Sequence, residues 1–241
     1  MHPVTPQPEL SAIVLCYRAG HAAPRVLDPL ARLLSESGVS HELVLVANYR
    51  PGDDSDPTPG VVRDWASGRD NVRLVISPKE GAMGWDMRSG LDAATGETLV
   101  VIDGDEQNPV EDVLRMYEQM KRTGVDVCKG RRIVRNDGPY RRVVSHGFNF
   151  LFRVLFGTGG ITDINGKPKG LTRAAYEQLE LRSNDWFIDS EMILDARRQG
   201  LRIDELPVVF RENPERASFV KPSAILEFLK NMARYRFTRR P

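Results

Sequence analysis

The chain has 241 residues, a formal net charge of +1, 41% hydrophobic and 28% charged residues, which fits one soluble globular α/β domain. So small a charge gives bulk electrostatics no grip on nucleic acid. Cys16 and Cys128 show no CxxC or pairing pattern and read as small core residues suited to a reducing cytosol. No apolar run approaches the roughly 20 residues that span a bilayer, and no charged-then-apolar leader opens the sequence.

Residues 1–9, with three prolines, read as a loose lead-in. "LSAIVLCYR" (10–18) is a first buried strand, and "APRVLDPLARLLSESG" (23–38) an amphipathic helix closed by glycine. "HELVLVANY" (41–49) is a second strand, "GVVRDWASG" a short helix and "NVRLVIS" (71–77) a third strand. "EGAMGWDMRSGLDAATG" (80–96) begins with glycines and continues at helical spacing. The strand "ETLVVIDGD" precedes the helix "PVEDVLRMYEQMKRTG" (109–124), with proline near its start and glycine at its end. "DVCKGRRIV" is a further strand. This alternation predicts a parallel sheet with helices on both faces.

The second half is less regular. Residues 141–157 have helical spacing, and 163–179 read as a turn, a short strand and a helix starting near Thr172. Residues 187–200 form a helix, 201–213 a strand broken by Pro207, and the basic tail an amphipathic helix. No repeat or composition break marks a second domain. The expected layout is 10–213 as one domain, divided into 10–108 and 109–213, followed by 214–241 as the tail helix.

The run "LVVIDGDEQNP" (99–109) carries the first chemical signal: a buried strand that ends in acids. Open α/β sheets bind ligands beyond the C-terminal ends of their strands. Asp103 and Asp105, two apart, point to the same side of an extended chain. Adjacent carboxylates repel unless a cation lies between them, and oxygen ligands suit Mg²⁺ or Mn²⁺. The plainer alternative is an acid pair capping the next helix. Gly81, Gly84 and Gly90, with Arg88 among them, read either as turn chemistry or as backbone approaching a phosphate at a helix start.

Together, in this order, these pieces resemble the family 2 glycosyltransferases of GT-A fold, and most of all their polyprenyl-phosphate branch. The resemblance covers roughly residues 10–213. "IDGDEQNPVED" is similar to that branch's D-A-D-L-Q-H-P-P-E signature, and "FIDSEMILDARRQGLRIDELPVVF" to its D-x-E-L-x-x-x-A-x-x-x-G-x-x-I-x-E-V-P-V block. The glycine-rich helix resembles G-x-x-x-A-x-x-x-G. "LCYRA" and "VANYRPGDDSDPT" depart from the family's P-x-Y-N-E and DDGS turns.

The resemblance implies a Rossmann-like, mostly parallel central sheet and an inverting transfer of sugar from a GDP- or UDP-sugar. It places Asp103 near the ribose and metal, Asp105 as principal ligand of Mg²⁺ or Mn²⁺, and Gln107 as a further oxygen donor. Tyr17, Asn48, Gly84 and Arg88 fall on the donor side. An amide replaces the family's base-facing acid at position 48, so base preference does not transfer. Arg131, Arg135 and Ser145 match a segment that grips an acceptor phosphate, and guanidinium forks suit phosphate. Lys169 reads as a phosphate contact or as part of a surface turn.

Asp189 is read as the general base for a hydroxyl acceptor or as a group positioning a phosphate acceptor, which needs no base. A non-catalytic nucleotide-sugar-binding protein is the remote alternative. The expected partners are a nucleotide-sugar, a polyprenyl phosphate or hydroxyl acceptor, and no nucleic acid. The tail helix would serve a membrane surface, the core or a homodimer. The expected location is the cytoplasm, including the inner face of its membrane.

Overall fold

The computed structural model describes residues 7–135, 147, 150–157, 160–211 and 223–238. Its centre is a seven-stranded sheet in the order β3-β2-β1-β4-β6-β5-β7. The strands are β1 (Leu10–Leu15), β2 (His41–Val46), β3 (Val72–Val75), β4 (Thr98–Asp103), β5 (Val127–Arg135), β6 (Lys169–Thr172) and β7 (Ile203–Phe210). β1 and the first five residues of β4 are wholly buried, which explains why their sequences run apolar without alternation. The resulting mostly parallel α/β fold is the one the sequence predicts.

Apolar stripes on α1 (Pro24–Glu36) and α4 (Glu111–Thr123) cover one face through Leu27, Leu30, Val113 and Met116. α3 (Met83–Ala93) and α6 (Ile188–Arg198) cover the other through Met87, Leu91, Ile188 and Met192. Each such fully buried side chain contributes about 1.5–3 kcal/mol by leaving water. Gly124 closes α4 at φ 65°, a left-handed position that costs glycine little. The short helices α2 (Thr58–Ala66) and α5 (Arg173–Gln178) follow β2 and β6. Thr172 caps α5, its Oγ1 accepting from Ala175 N at 3.1 Å.

One strand departs from the alternating pattern. β6 lies between β4 and β5 and runs antiparallel to both. Antiparallel neighbours need no crossover helix, so the chain enters the sheet here directly from the 160–168 loop. That loop is fastened to β5 by Arg132, which forks onto Asp163 with Nε–Oδ2 and Nη2–Oδ1 distances of 2.7 Å. Gly166 has no room for a Cβ, which would stand 2.0 Å from Gly130 O.

The tail helix α7 (Ser223–Thr238) packs onto the core. Met232 is buried, Tyr235 meets the rings of Phe156 and Phe187, and Asn231 Nδ2 donates to Asp185 Oδ2 at 2.6 Å. Leu229 and Phe237 stay exposed. Among the described residues no helix is long and apolar enough to cross a membrane.

Burial alone would raise the Asp163 carboxyl, but the bonds and charge of Arg132, with Lys129 beside it, hold it well below the ordinary carboxylate range. Its contribution is therefore complete above the unfolded value near ~4 and is lost as pH falls toward the lower folded value. Asp163→Asn is expected to cost about 3 kcal/mol in urea unfolding at neutral pH and to remove that part of the acid dependence.

Candidate active site

The strand order reverses between β1 and β4, and a crevice opens beyond their C-terminal ends. Asp103 pairs with Leu15 at that end, and Gly104 N donates to Leu15 O at 2.9 Å. A Cβ on Gly104 would stand 3.0 Å from the same carbonyl, so the residue between the acids is fixed by close packing. Asp105 Oδ1 accepts from Gln107 N at 3.2 Å, which folds the loop back on itself. Gln107 Nε2 donates to Arg211 O at 3.2 Å and thereby uses the donor half of its amide. Two carboxylates and an amide oxygen are hard donors of the kind Mg²⁺ and Mn²⁺ accept, with substrate phosphates completing the shell. The residues present fit such an ion. Among the described residues no group of three or more acids, histidines or cysteines is placed to hold a metal ion, so the loop offers two carboxylates and an amide.

Behind the acids lies a cluster of buried charge. Lys167 Nζ stands 3.9 Å from Asp103 Oδ1 and 3.7 Å from Asp189 Oδ1, and Lys169 Nζ stands 3.3 Å from the same Asp189 oxygen. All three side chains apart from Asp103 are nearly closed to solvent. Burial by itself would lower the Lys167 ammonium, but Asp189, Asp103 and Asp105 outweigh it and raise the group. For Lys169 burial prevails despite Asp189, and Lys129 and Lys167 add repulsion, bringing it down to about 8. Gly130 sets the cluster's position, because a Cβ there would lie 2.2 Å from Lys167 O.

Register also places Arg131. Val101 pairs with Lys169 and Lys129 pairs with Lys169, so Asp103 and Arg131, each two residues on, share one level of the sheet. Arg135 ends β5, and Ser145 lies outside the described residues.

Lys169 is not part of a surface turn. β6 carries it into the sheet, where its ammonium meets Asp189 and donates to Ile164 O at 2.9 Å. Asn48 is buried and bonded within the protein. Its Nδ2 donates to Asp86 Oδ1 and Ser89 Oγ, and its Oδ1 accepts from Ser77 N and Oγ, which uses its whole hydrogen-bonding capacity.

Gly84 packs closely against the protein's own 183–185 loop. A Cβ would meet Ser183 O at 2.4 Å, and Gly84 N donates to Asp185 O at 3.1 Å. Arg88 serves the same junction, Nη1 donating to Asn184 Oδ1 at 2.6 Å and Arg182 O at 3.2 Å. Glu191 also holds that loop, its Oε2 accepting from Arg182 N and Ser183 N. The loop leads into α6 and so aims Asp189.

Tyr17 follows β1, where Arg18 turns the chain at φ 52°. The Lys79 ammonium lies 3.9 Å from the centre of the Tyr17 ring and pairs with Asp86. Lys79 and Lys167 are the residues sequence reasoning missed. A cavity of about 370 Å³ lined by Arg88, Asp92, Tyr176 and residues 179–182 lies apart from Asp103 and Asp189. The carboxylates lie at the strand ends instead.

An open α/β sheet with acids at its switch point is a ligand-binding scaffold of the doubly wound class. The sequence pattern of glycosyl transferase family 2 matches residues 11–180, and the chain belongs to that family. It is 31% identical over 159 residues to Glycosyltransferase AglD of Haloferax volcanii, covering 64% of this chain and 25% of the relative. To Dolichyl-phosphate beta-glucosyltransferase ALG5A of Trichomonas vaginalis it is 27% identical over 217 residues, 84% of this chain and 66% of the relative. The chain thus spans a quarter of the first relative's length and just under two thirds of the second's. A solved glucosyl-3-phosphoglycerate synthase of Mycobacterium tuberculosis, in complex with Mn²⁺, UDP-glucose and phosphoglyceric acid, has the same fold. Its TM-score is 0.72 at 17% identity, over 97% of this chain and 81% of that one.

Gly130→Ala is expected to lower stability by about 1–3 kcal/mol in chemical denaturation, because backbone at Lys167 O must move. Gly147→Ala, at an exposed helical position where a Cβ meets nothing within 4 Å, is the control and should not lower stability.

Proposed function

We propose that this glycosyltransferase moves a sugar, with inversion, from a GDP- or UDP-sugar to a polyprenyl phosphate with the help of Mg²⁺ or Mn²⁺. The observation that carries the reading is the placement of Asp103 and Asp105 at the switch point with Asp189 held behind them by two ammonium groups. Residues 10–108 would serve the donor and 109–213 the acceptor. Asp105, Asp103 and Gln107 would hold the cation, which neutralises charge on the departing diphosphate. Tyr17 and Arg88 lie on the donor half; Arg131, Arg135 and Ser145 would bind the acceptor phosphate.

In the reaction an acceptor phosphate oxygen forms a bond to the anomeric carbon. The bond from that carbon to the diphosphate breaks, and its electron pair leaves on the β-phosphate oxygen. A phosphate acceptor is already an anion, so no proton has to be removed. That suits Asp189, whose carboxylate is engaged by Lys167 and Lys169. Likeness to dolichyl-phosphate glucosyltransferases supports the lipid acceptor. Work at the inner face of a membrane, with Leu229 and Phe237 of α7 exposed, belongs to the same reading.

The second reading is transfer to a hydroxyl acceptor with Asp189 as general base, favoured by the fold's likeness to a synthase bound to phosphoglyceric acid. Titration with UDP, GDP, UDP-glucose and GDP-mannose, with and without Mn²⁺, tests the donor side. Metal-dependent binding of one nucleotide is expected, weakened at least about tenfold in Asp105→Asn. Labelled sugar should then pass to a polyprenyl phosphate; transfer to 3-phosphoglycerate instead would establish the second reading. Folded protein that binds none of the four would end both.

A further inference from the structure

β5 and β7 outrun the rest of the sheet. β6 pairs with β5 at residues 127–129, and the 160–168 loop holds β5 as far as Arg132, whose N donates to Asp163 Oδ2 at 3.1 Å. The ends of β5 and β7 then run on as a two-stranded ribbon, with Arg131 opposite Pro207 and Val134 opposite Val209. The register skips Ile133, an extra residue that bulges from the ladder. Ile133 is 56% exposed and Val209 40%. Burial alternates along β7, with Leu206 and Val208 inside and Pro207 and Val209 outside. Paired residues share a face, so Arg131 stands on the side of Pro207 and Val209. Strands that face water are ordinarily blunted with charge, and Ile133 and Val209 do the reverse.

Two branched aliphatic side chains standing in water gain by meeting hydrocarbon. Their position decides which hydrocarbon. Ile133 and Val209 each lie two residues beyond the Arg131–Pro207 pair, about 7 Å along a strand. Arg131 itself is at the level of Asp103, while Arg132 is spent on Asp163. A phosphate monoester held at Arg131 therefore carries its first carbons within reach of both side chains. We infer that Ile133 and Val209 seat the first isoprene units of the acceptor, the hydrocarbon next to the phosphate. A soluble phosphate such as phosphoglycerate brings hydroxyl and carboxylate groups to the same place, and these lose hydration against aliphatic side chains without gaining a partner. The ribbon thus selects a prenyl phosphate over a soluble one. The inference rests on the polyprenyl-phosphate reading above.

The test is sugar transfer to undecaprenyl phosphate in detergent, with Mn²⁺ and the nucleotide-sugar that wild type binds, by wild type and the double variant Ile133→Thr, Val209→Thr. Threonine keeps the branched, strand-forming shape and both positions are exposed, so affinity for the nucleotide-sugar should hold within about twofold and report an intact fold. Each single variant carries the test should the double variant lose that affinity. The KM for undecaprenyl phosphate should rise about tenfold, and so should the inhibition constant of farnesyl phosphate, a short prenyl competitor. Monomethyl phosphate, which has no chain, should inhibit both proteins alike. An unchanged KM would overturn the prenyl seat, and so would an equal loss for monomethyl phosphate, which belongs to Arg131. A raised KM with farnesyl phosphate unaffected would move the contact to the detergent or membrane surface and overturn it too. Wild type that transfers no sugar to undecaprenyl phosphate overturns the lipid-acceptor reading, and the seat with it.

Discussion

The insertion of β6 between β4 and β5 is the constraint on which the site depends. It carries Lys169 into the middle of the sheet and brings Lys167, two residues earlier, to the level of Asp103. Ammonium groups so deep are tolerable only beside carboxylates, because burial penalises charge by several kcal/mol or more. Asp189 meets both lysines, and Glu205 meets Lys129 Nζ at 3.0 Å. Lys167, 3.9 Å from Asp103 Oδ1, ties this cluster of the second half to the first half.

Glycine makes this arrangement sterically possible. Gly130 and Gly166 let the 160–168 loop lie directly on β5, while Gly81 and Gly84 let the loop at 183–185 lie on the start of α3. One junction aims Lys167 and the other aims Asp189. Both are held by backbone contacts too tight for a Cβ, so the two partners are positioned by rigid neighbours rather than by mobile side chains.

The sheet, its helices and the acid pair were legible because each leaves a local trace. Buried strands run apolar, Gly124 stops α4, Thr172 starts α5, and an apolar run ending in "DGDEQN" has no packing reason to do so. The surroundings of Asn48, Gly84 and Lys169 leave no local trace because their partners are distant in sequence. Asn48 is completed by Ser77, Asp86 and Ser89, and Gly84 by residues 183–185. Lys167 went unnoticed because "GKPKG" has the composition of a solvated turn; its burial follows from strand order, which no local pattern encodes. The basic run 129–135 divided in the same way, Arg132 being spent on Asp163 while Arg131 stands at the level of Asp103.

The central claim is that the acids ending β4 and the charge cluster around β6 form one site. A crystal structure with Mn²⁺ and the nucleotide-sugar, read with manganese anomalous scattering, tests it directly. An anomalous peak on Asp105 is expected, with the diphosphate beside it and the sugar toward Asp189. A nucleotide held elsewhere, as in the cavity between Arg88, Asp92 and Tyr176, with no metal on Asp105, would contradict it.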